Sequence, residues 1–378
     1  MKLQLLQYVA GQWTTPFDST LDSEQTLILA FGAPCFRGQP EVLRELSDAF
    51  PQSRLFGCSS SGEIFDTTLS DESMAVAIIR FEKSQLRSAF ATVECVERSC
   101  EAGAEIGRAL LADELKGILV LSDGLHVNGS DVVRGLNSVL PERVVVTGGL
   151  AGDGSDFEDT WIIREGQPTR RVISAVGFYG DHLEIGHGSK GGWDVFGIER
   201  RITRAEGNVL YELDGKPALE LYMKYLGERA AELPASALLF PLAVRSDAQS
   251  DRQLVRTVLS VSHEENTMTF AGDLPEGHLA QFMKANFERL VDGACNAALM
   301  SRACTTGDLP VLSVAISCVG RRLVLGEQSE EELEATFDVL PKGSRQIGFY
   351  SYGEISPHGS GSCDLHNQTM TLTTFAEV

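Results

Sequence analysis

The chain has 378 residues, with 32 lysines and arginines against 53 aspartates and glutamates, and a formal net charge of −21 at neutral pH. Such an acidic surface repels phosphate backbones and anionic lipid, which disfavours nucleic acid or a membrane as the main partner. With 43% hydrophobic and 22% charged residues, the chain is expected to fold over most of its length, and its size predicts two or three domains.

Neither export nor membrane insertion is indicated by the sequence. The eight cysteines are dispersed and form no C-x-x-C pair, as is usual where a reducing compartment keeps thiols free. No apolar run approaches the roughly 18 residues of a membrane span, and the first residues lack the pattern of an export signal. We therefore expect a cytoplasmic protein.

A strand, a helix and a second strand follow an N-terminal arm of residues 1–25. Leu27–Ala33 is apolar throughout, which predicts a buried strand, and Pro40–Phe50 places its apolar residues on one helical face. Pro51 ends this helix. Residues 54–65, RLFGCSSSGEIF, then predict a strand that runs into a glycine–serine turn.

The same order of elements returns about ninety residues later. Pro51 and Pro141 end the two predicted helices and are 90 residues apart, while Gly57 and Gly148 in the two turns are 91 apart. The simplest explanation is an internal duplication, with copies at residues 26–95 and 116–190. Each copy ends in strands that are expected to pair antiparallel, residues 73–81 with 86–94 and residues 171–180 with 183–188.

A second domain is predicted over residues 193–378, after a first domain of residues 26–192. Its longest predicted helix is Gln281–Ala303. A third copy of the unit is predicted from the strand at residues 311–322, the helix Glu330–Leu340, Pro341 and the strand at residues 347–355. In that copy Gly353-Glu354-Ile355 is the counterpart of Gly62-Glu63-Ile64. These patterns predict an α/β (α+β mixed) fold, with mixed β-sheets flanked by helices and built from duplicated strand–helix–strand–glycine-loop units in two domains.

The glycine turns are the first candidate site, because their backbone N–H groups can face a ligand. The residues expected to contact it are Cys58, Ser59, Ser60, Gly62 and Glu63 in the first copy and Gly149 and Asp153 in the second. GCSSSG is not the G-x-S-x-G turn of hydrolases, because Ser61 stands where the second glycine is required. Cys58 as the nucleophile of an enzyme stays open as an alternative.

A further glycine-rich run, Gly186–Gly191, fits G-x-G-x-x-G on paper. No convincing helix follows it, so the helix N-terminus that holds the phosphates of a dinucleotide is missing. A dinucleotide site is therefore not predicted.

The segment Gly348–Phe375 gathers the remaining reactive side chains. It contains Tyr350, Tyr352, Glu354, His358, Cys363 and His366. The two histidines and the cysteine have a spacing that a metal could use, but no fourth ligand can be named. His366 also suits non-covalent haem, which needs one imidazole and an apolar pocket, and equally a core histidine bonded to a neighbouring strand.

Several long motifs resemble those of FIST proteins, with FIST-N motifs early and FIST-C motifs late. They include FGCSSSGEIF, VVTGGLAGDGSDF, NVLYELDGKPALELYMKYLG, and GFYSYGEISP followed by LHNQTMTLT. The resemblance spans nearly the full chain and implies an intracellular sensory module of bacterial signal transduction that binds small ligands, amino acids having been proposed. The chain is also similar to stand-alone NosP-type haem-containing nitric-oxide sensors, which regulate a partner histidine kinase or cyclic-di-GMP enzyme.

The resemblance and the residues together give a hypothesis: a non-catalytic sensor whose ligand lies between the glycine turns and the C-terminal segment. In its first version the ligand is non-covalent haem b that carries nitric oxide, with Tyr350 and Tyr352 beside it and His366, His187 or His126 on the iron, His366 being the first choice as metal ligand. In its second version an amino acid or another small polar ligand binds without haem to Glu354, Arg321 and Arg322. The third alternative is the Cys58-dependent enzyme, and a homodimer is left open.

Overall fold

Three sheets of the computed structural model share one plan, which follows the repeated stretches of sequence. The structure describes residues 1–233, 235–250, 253–303, 309–357 and 362–378. In each of the three sheets two parallel strands joined by a helical crossover lie side by side, and a later strand of the same unit pairs antiparallel with the first of them. The predicted α/β class with mixed sheets is therefore confirmed.

The first unit occupies residues 2–80. Its elements are β1 (Lys2–Val9), β2 (Gln12–Trp13), β3 (Thr26–Gly32), α1 (Pro40–Ala49), β4 (Arg54–Ser59), β5 (Glu63–Phe65), β6 (Thr68–Ser70) and β7 (Met74–Arg80). Strand β3 is buried along its whole length, as expected for an apolar run at the centre of a sheet. Helix α1 buries Val42, Leu43 and Leu46, which confirms the predicted helix and its inner face.

The second unit repeats this order over residues 85–179. Its elements are β8 (Gln85–Thr92), α2 (Ser99–Leu110), β9 (Leu115–Ser122), α3 (Gly129–Asn137), β10 (Val145–Leu150), β11 (Ile162–Arg164), β12 (Gln167–Thr169) and β13 (Val172–Tyr179). Strand β8 pairs with β13 and not with β7. The predicted pairing of residues 73–81 with 86–94 is therefore wrong, because β8 opens the next unit and pairs within that unit's own sheet.

The third unit is interrupted by an inserted sheet. It opens with β14 (Leu183–Lys190), and the insertion follows with β15 (Asp194–Glu206), β16 (Val209–Leu213), β17 (Lys216–Pro217), α4 (Ala218–Leu226), β18 (Leu242–Arg245), β19 (Leu254–Arg256), β20 (Val258–Ser262), β21 (Thr267–Phe270) and β22 (Leu279–Lys284). The unit then continues with α5 (Phe287–Ala303), β23 (Leu312–Cys318), α6 (Val319–Leu325), α7 (Ser329–Asp338), β24 (Arg345–Ser351), β25 (Gly353–Pro357), β26 (Cys363–His366) and β27 (Met370–Glu377).

Two predictions about this region are corrected by the structure. The predicted helix Gln281–Ala303 is wrong at its start, because residues up to Lys284 pair with both β15 and β18 as a strand, and α5 begins at Phe287. Strand β14 pairs with β27 at the end of the chain, so the predicted pairing of residues 171–180 with 183–188 is also wrong. In both places a long-range sheet partner decides the structure.

The short hairpin of each unit extends the sheet of another unit. The β5–β6 hairpin joins the third sheet through β24, β11–β12 joins the first through β4, and β25–β26 joins the second through β10. This cyclic exchange ties the units together around one apolar core to which all three sheets contribute. Within it the rings of Phe31 and Phe349 stack at a centroid distance of 4.7 Å.

One glycine in each unit permits the close approach of the two parallel strands. A Cβ at Gly57, Gly148 or Gly348 would lie 1.8, 1.8 or 1.7 Å from a carbonyl oxygen of the neighbouring strand. These distances are far below van der Waals contact, so the three positions require glycine. The spacing of Gly57 and Gly148 noted in the sequence thus marks equivalent places in two sheets. None of the helices in the described ranges combines the length and apolar character that a membrane crossing requires.

Candidate functional site

The strands β4, β10 and β24 end at one place, where the residues that follow them bond to each other. Ser61 N donates to Tyr350 O at 2.8 Å, Gly152 N to Ser59 O at 3.2 Å, and Tyr352 N to Leu150 O at 3.2 Å. The two glycine turns and the C-terminal segment therefore meet around these three hydrogen bonds.

Two glutamates that were predicted to contact the ligand are fully buried next to these three hydrogen bonds. Glu63 accepts the Ser60 hydroxyl and the backbone N–H of Ser73, the latter at 3.1 Å. Glu354 accepts the backbone N–H and the hydroxyl of Thr369 at 3.2 and 2.8 Å. Glu63 thus fixes the start of β7, and Glu354 fixes the start of β27. Each carboxyl group connects its turn to the last strand of the same unit.

The free energy of unfolding is expected to fall as pH rises from about 5 to 8. Burial raises the pKa of Glu63 to about 7 and that of Glu354 to about 8. The unfolded chain has released both protons in this window, whereas the folded chain holds the Glu63 proton up to about pH 7 and the Glu354 proton up to about pH 8. Rising pH therefore favours unfolding, by up to about 1.4 kcal/mol per pH unit for each group. Glu354→Gln has no proton to lose and should flatten the slope in urea unfolding at pH 5, 6.5 and 8.

The control for this pH measurement is Glu327→Gln, because Glu327 is exposed. Its pH profile should follow that of the unmodified chain. An equally steep profile for Glu354→Gln would show that Glu354 is not the group that titrates.

The first glycine turn lies inside the central core. Cys58 and Ser59 are both 0% exposed, and burial raises the pKa of the Cys58 thiol well above its ordinary value. The Ser59 hydroxyl accepts the backbone N–H of Trp161 at 3.0 Å. At Gly149 in the second turn, a Cβ would lie 2.9 Å from the side chain of Ile316. Cys58, Ser59 and Gly149, which were predicted to contact the ligand, therefore pack against other residues of the protein.

An apolar cavity of about 360 Å³ lies where the second unit, the inserted sheet and the start of α6 meet. Its walls include Leu125, Val127, Leu150, Phe270, Val319 and Leu323. Two other grooves, of about 400 and 670 Å³, border Arg54 and have more polar walls. Sites for small organic ligands are mostly apolar with a few polar groups, so the 360 Å³ cavity is the best candidate.

Four polar side chains interrupt the apolar wall. Thr257 is 4% exposed, and its hydroxyl has no hydrogen-bond partner in the described part of the chain. Asn128 Nδ2 reaches the Asp273 carboxylate at 3.4 Å, while Asn208 Nδ2 donates to the carbonyl oxygen of Phe270 at 2.7 Å. Of these four side chains, Thr257 therefore has buried hydrogen-bonding capacity that the protein does not use.

A stacked pair of aromatic rings forms one side of the cavity mouth. Phe157, which is 48% exposed, stacks on Tyr352 at a centroid distance of 4.7 Å. The Tyr352 hydroxyl donates to the Asp153 carboxylate, which also accepts the backbone N–H groups of Glu158 and Asp159 at 2.7 and 2.6 Å. Tyr352 is thus a predicted site residue that lines the cavity, and Asp153 positions it.

His126 lies between two residues of the cavity wall, Leu125 and Val127. Its Nδ1 is 3.2 Å from both oxygens of Asp123. Although burial alone would raise the pKa of Asp123, backbone N–H groups such as that of Arg171, at 2.6 Å, lower it. An ionised carboxylate therefore orients the imidazole through Nδ1. Nε2 is the ring nitrogen that does not face Asp123.

The other two histidines proposed as haem ligands lie elsewhere. His366 is 5% exposed and its Nε2 is 3.0 Å from the carbonyl oxygen of Ser356. His187 lies in β14 opposite Thr373, and burial lowers its pKa. Neither lines the cavity, and His126 is itself beside the wall and not part of it, between the lining residues Leu125 and Val127. His358 falls outside the described residues, and the described residues hold no group of three or more histidine, cysteine, aspartate or glutamate side chains placed to bind a metal.

Arg321 and Tyr350 share one buried partner, Glu332. Arg321 Nη2 is 2.6 Å from the Glu332 carboxylate and the Tyr350 hydroxyl donates to it at 2.7 Å, with all three side chains fully buried. Arg322 forms a bidentate pair with Asp71 at 2.8 and 2.6 Å. Its Nη1 would also be 2.5 Å from a Cβ at the predicted contact Gly62. The structure thus pairs both arginines within the protein, away from the cavity.

Sequence reasoning missed the contribution of the inserted sheet to the cavity. Thr257 lies between β19 and β20 in a run that has the ordinary composition of a strand, so no signal marked it. Asp273 follows Gly272 directly after β21, and an acidic residue at a glycine turn could have been considered. The buried guanidinium of Arg256 attaches this region to the C-terminal segment through the carbonyl oxygen of Leu365 at 3.0 Å.

Two family models match successive parts of the chain. The FIST N domain model matches residues 26–216 and the FIST C domain model matches residues 218–357. The chain belongs to the FIST family. FIST domains are small-ligand sensory domains of signalling proteins. The FIST N region contributes Val127 and Phe157 to the cavity, and the FIST C region contributes Thr257 and Val319.

An uncharacterised protein of Methanocaldococcus jannaschii is 24% identical over an alignment of 361 positions, which covers 83% of this chain. This FIST chain spans 66% of the length of that relative. Among solved structures, a cyanuric acid hydrolase from A. caulinodans aligns with a TM-score of 0.37 and 8% identity over 99% of this chain and 98% of that one. A further cyanuric acid hydrolase gives 0.31 and 11% over 100% and 99%. Likenesses at this level carry no conclusion about fold or activity.

Proposed function

We propose that this FIST protein is a non-catalytic sensor and that its ligand occupies the cavity between the FIST N and FIST C regions. The observation that carries the proposal is the apolar cavity of about 360 Å³ in which the buried Thr257 hydroxyl has no partner among the described residues. A ligand that contacts Val127 on one side and Val319 on the other favours the arrangement in which both walls are in place. Binding would thereby change how the FIST N and FIST C regions are arranged relative to each other.

Two further observations support a binding role over the alternatives. The Cys58 thiol is fully buried and its pKa is raised, so it does not supply the thiolate that a nucleophile needs. The described wall of the cavity contains no lysine or arginine that could pair with the carboxylate of an amino acid. A ligand without a carboxylate fits these walls better.

Leu323→Trp is expected to abolish the stabilisation that a cavity ligand gives. Leu323 lines the cavity and is 47% exposed, so a larger ring there narrows the mouth with little change in the core. A bound ligand raises apparent stability with the logarithm of its concentration relative to Kd, by about 2.7 kcal/mol at a hundredfold excess over Kd. Thermal unfolding with a library of small metabolites measures this effect.

The matched control is Leu111→Trp, which replaces a leucine of similar exposure, 43%, outside the cavity wall. It should keep every thermal shift of the unmodified protein. If a ligand still raises the unfolding temperature of Leu323→Trp, its binding site lies outside this cavity.

Haem is the second candidate ligand, favoured by the orientation of His126. Metal-bound histidines usually donate their other ring N–H to a carboxylate, and Asp123 stands in that position. The apolar neighbours Leu125 and Val127 could cover a porphyrin face. Haem, when bound, would supply the iron that takes nitric oxide, while Asp123 would hold the imidazole in one orientation.

In this second version, His126→Ala is expected to remove the Soret absorption of protein reconstituted with haem b. The control His366→Ala should leave it unchanged, because the His366 imidazole is bonded to the Ser356 carbonyl oxygen. A Soret band that survives His126→Ala and disappears with His366→Ala would restore the ligand first chosen from the sequence.

We also propose that the bound state is read by a partner histidine kinase or cyclic-di-GMP enzyme. The exposed apolar rim of the cavity, which includes Val96, Phe157 and Leu323, supports a protein contact at the mouth. The activity of a purified partner enzyme should then respond to ligand with the unmodified chain and not with Leu323→Trp.

A further inference from the structure

Asp273 places a carboxylate on the wall of the cavity, in the turn that follows β21. The side chain is half-buried, and no ion pair links it to a lysine, arginine or histidine of the described ranges. Asn128 Nδ2 approaches the carboxylate at 3.4 Å, which is long for a hydrogen bond. A carboxylate that lies against apolar walls without a counter-ion is unfavourable, and a cationic ligand would supply that counter-ion.

The buried hydroxyl of Thr257 belongs to the same part of the wall. The backbone N–H of Ala271 donates to the carbonyl oxygen of Thr257 at 2.9 Å, and Asp273 follows two residues after Ala271. Thr257 lines the cavity, and its hydroxyl has no hydrogen-bond partner within the described ranges. Native proteins rarely bury a hydroxyl in this state. Neighbouring backbone positions therefore offer a ligand one carboxylate and one hydroxyl.

The buried guanidinium of Arg256 holds the backbone of this turn. It packs against Gly272, where a Cβ would lie 3.0 Å from Arg256 Cζ. Its Nε donates to the backbone carbonyl oxygen of Asp273 at 3.0 Å, and its Nη1 donates to those of Val255 and Leu365 at 3.2 and 3.0 Å. Arg256 thus bonds to carbonyl oxygens and not to the Asp273 carboxylate, which stays on the cavity side of the turn.

The charged groups around Asp273 leave an excess of negative charge. Asp131 and Arg134 lie within electrostatic reach of Asp273 and form an ion pair with each other. Burial lowers the pKa of Arg256 to about 10, while Asp364 and then Asp273 act to raise it. Three of these five groups are carboxylates and two are guanidinium groups. One further positive charge, carried by a ligand, would therefore balance them.

We propose that the ligand of this cavity is an amine, with a primary ammonium group on an apolar body. The ammonium group pairs with the Asp273 carboxylate and donates to the Thr257 hydroxyl, while the apolar body lies between Val127 and Val319. The ligand thereby supplies the counter-ion and the hydrogen-bond partner that these two side chains lack. This assignment of a ligand class rests on the proposed function, because it takes the cavity as the binding site.

Three probes that share a phenyl ring and a short chain test the class: 2-phenylethylamine, 2-phenylethanol and phenylacetate. At pH 7 the first is a cation, the second is neutral and the third is an anion. In isothermal titration calorimetry the amine is expected to bind the full chain more tightly than the other two probes, by about tenfold or more. Leu323→Trp, which narrows the mouth of the cavity, should remove this binding.

Asp273→Asn keeps the shape of the side chain and removes its charge. It should weaken the binding of 2-phenylethylamine by about tenfold or more and leave that of 2-phenylethanol unchanged. The matched control is Asp48→Asn, which removes an exposed carboxylate of α1 and should bind the amine normally. An amine affinity that falls equally in both variants, or in neither, would reflect the net charge of −21 and would overturn the proposal.

Ligand-free stability separates a binding role from a structural one. Thr257→Val replaces the hydroxyl by a methyl group, so it should unfold at the same or a higher urea concentration than the unmodified chain, because a buried unsatisfied group has been removed. It should also bind 2-phenylethylamine more weakly. A less stable Thr257→Val that binds the amine normally would overturn the proposal. So would a less stable Asp273→Asn with normal amine binding, because the carboxylate would then serve only to offset the charge of Arg256.

Failure of the class and failure of the site give different results. If 2-phenylethylamine binds no better than 2-phenylethanol or phenylacetate, or does not bind, the ligand class is wrong. The cavity then still stands as the site when other compounds lose their thermal shift in Leu323→Trp. If no shift depends on Leu323→Trp, the proposed site itself is wrong.

Discussion

Replacing Glu332 by alanine is expected to lower the free energy of unfolding by about 3–5 kcal/mol, because it leaves the Arg321 guanidinium buried without its counter-ion. Both side chains are fully buried, with Arg321 Nε and Nη2 at 3.0 and 2.6 Å from Glu332 Oε2. The hydroxyls of Ser317 and Tyr350 donate to the other oxygen at 2.9 and 2.7 Å and would lose their acceptor. Urea unfolding followed by circular dichroism measures the loss.

An exposed ion pair provides the control for this experiment. Arg98 and Glu101 are 2.7 Å apart, but their side chains are 53% and 63% exposed. Exposed pairs contribute little, so Glu101→Ala should leave the unfolding midpoint almost unchanged. A Glu332→Ala protein of normal stability that binds the cavity ligand poorly would instead return Arg321 to the ligand-binding role expected from the sequence.

The repeated unit was predictable because its signals are local. Apolar runs such as Leu27–Ala33, the proline after each crossover helix and the glycine at Gly57 or Gly148 act within a few residues of themselves. Such features fix strand, helix and turn before any tertiary contact forms, and repetition makes each one visible twice. The strand–helix–strand units and the FIST resemblance therefore followed from the sequence alone.

Strand pairing and the cavity were not predictable in this way. The hairpin β25–β26 joins β10, so Glu354 pairs with Gly149 across more than half of the chain. No local property of either residue specifies the other as its partner. The cavity wall likewise combines Val127, Thr257 and Val319 from three distant segments. A single sequence contains each of these residues but does not show that they are close together in the folded chain.

The polar residues of the cavity wall show a second limit of sequence reasoning. His366 attracted attention because imidazole is chemically versatile, whereas Thr257 and Asp273 looked like ordinary polar residues of a strand and a turn. Their significance depends on the burial of a Thr257 hydroxyl that has no partner among the described residues and on the place of Asp273 in an apolar wall, which only coordinates can show.

Gly348→Ala is expected to destabilise the chain by more than about 4 kcal/mol, in the range that marks a forced rearrangement of the core. The added Cβ would lie 1.7 Å from the carbonyl oxygen of Ala315 in the neighbouring strand, so the parallel pair β23–β24 must separate. Gly38→Ala is the control, because no atom lies within 4 Å of its added Cβ and the position is exposed. Thermal and urea unfolding of both variants give the comparison. Equal stability would mean that β23 and β24 do not meet in this register, and the equivalence of Gly57, Gly148 and Gly348 on which the threefold plan rests would be lost.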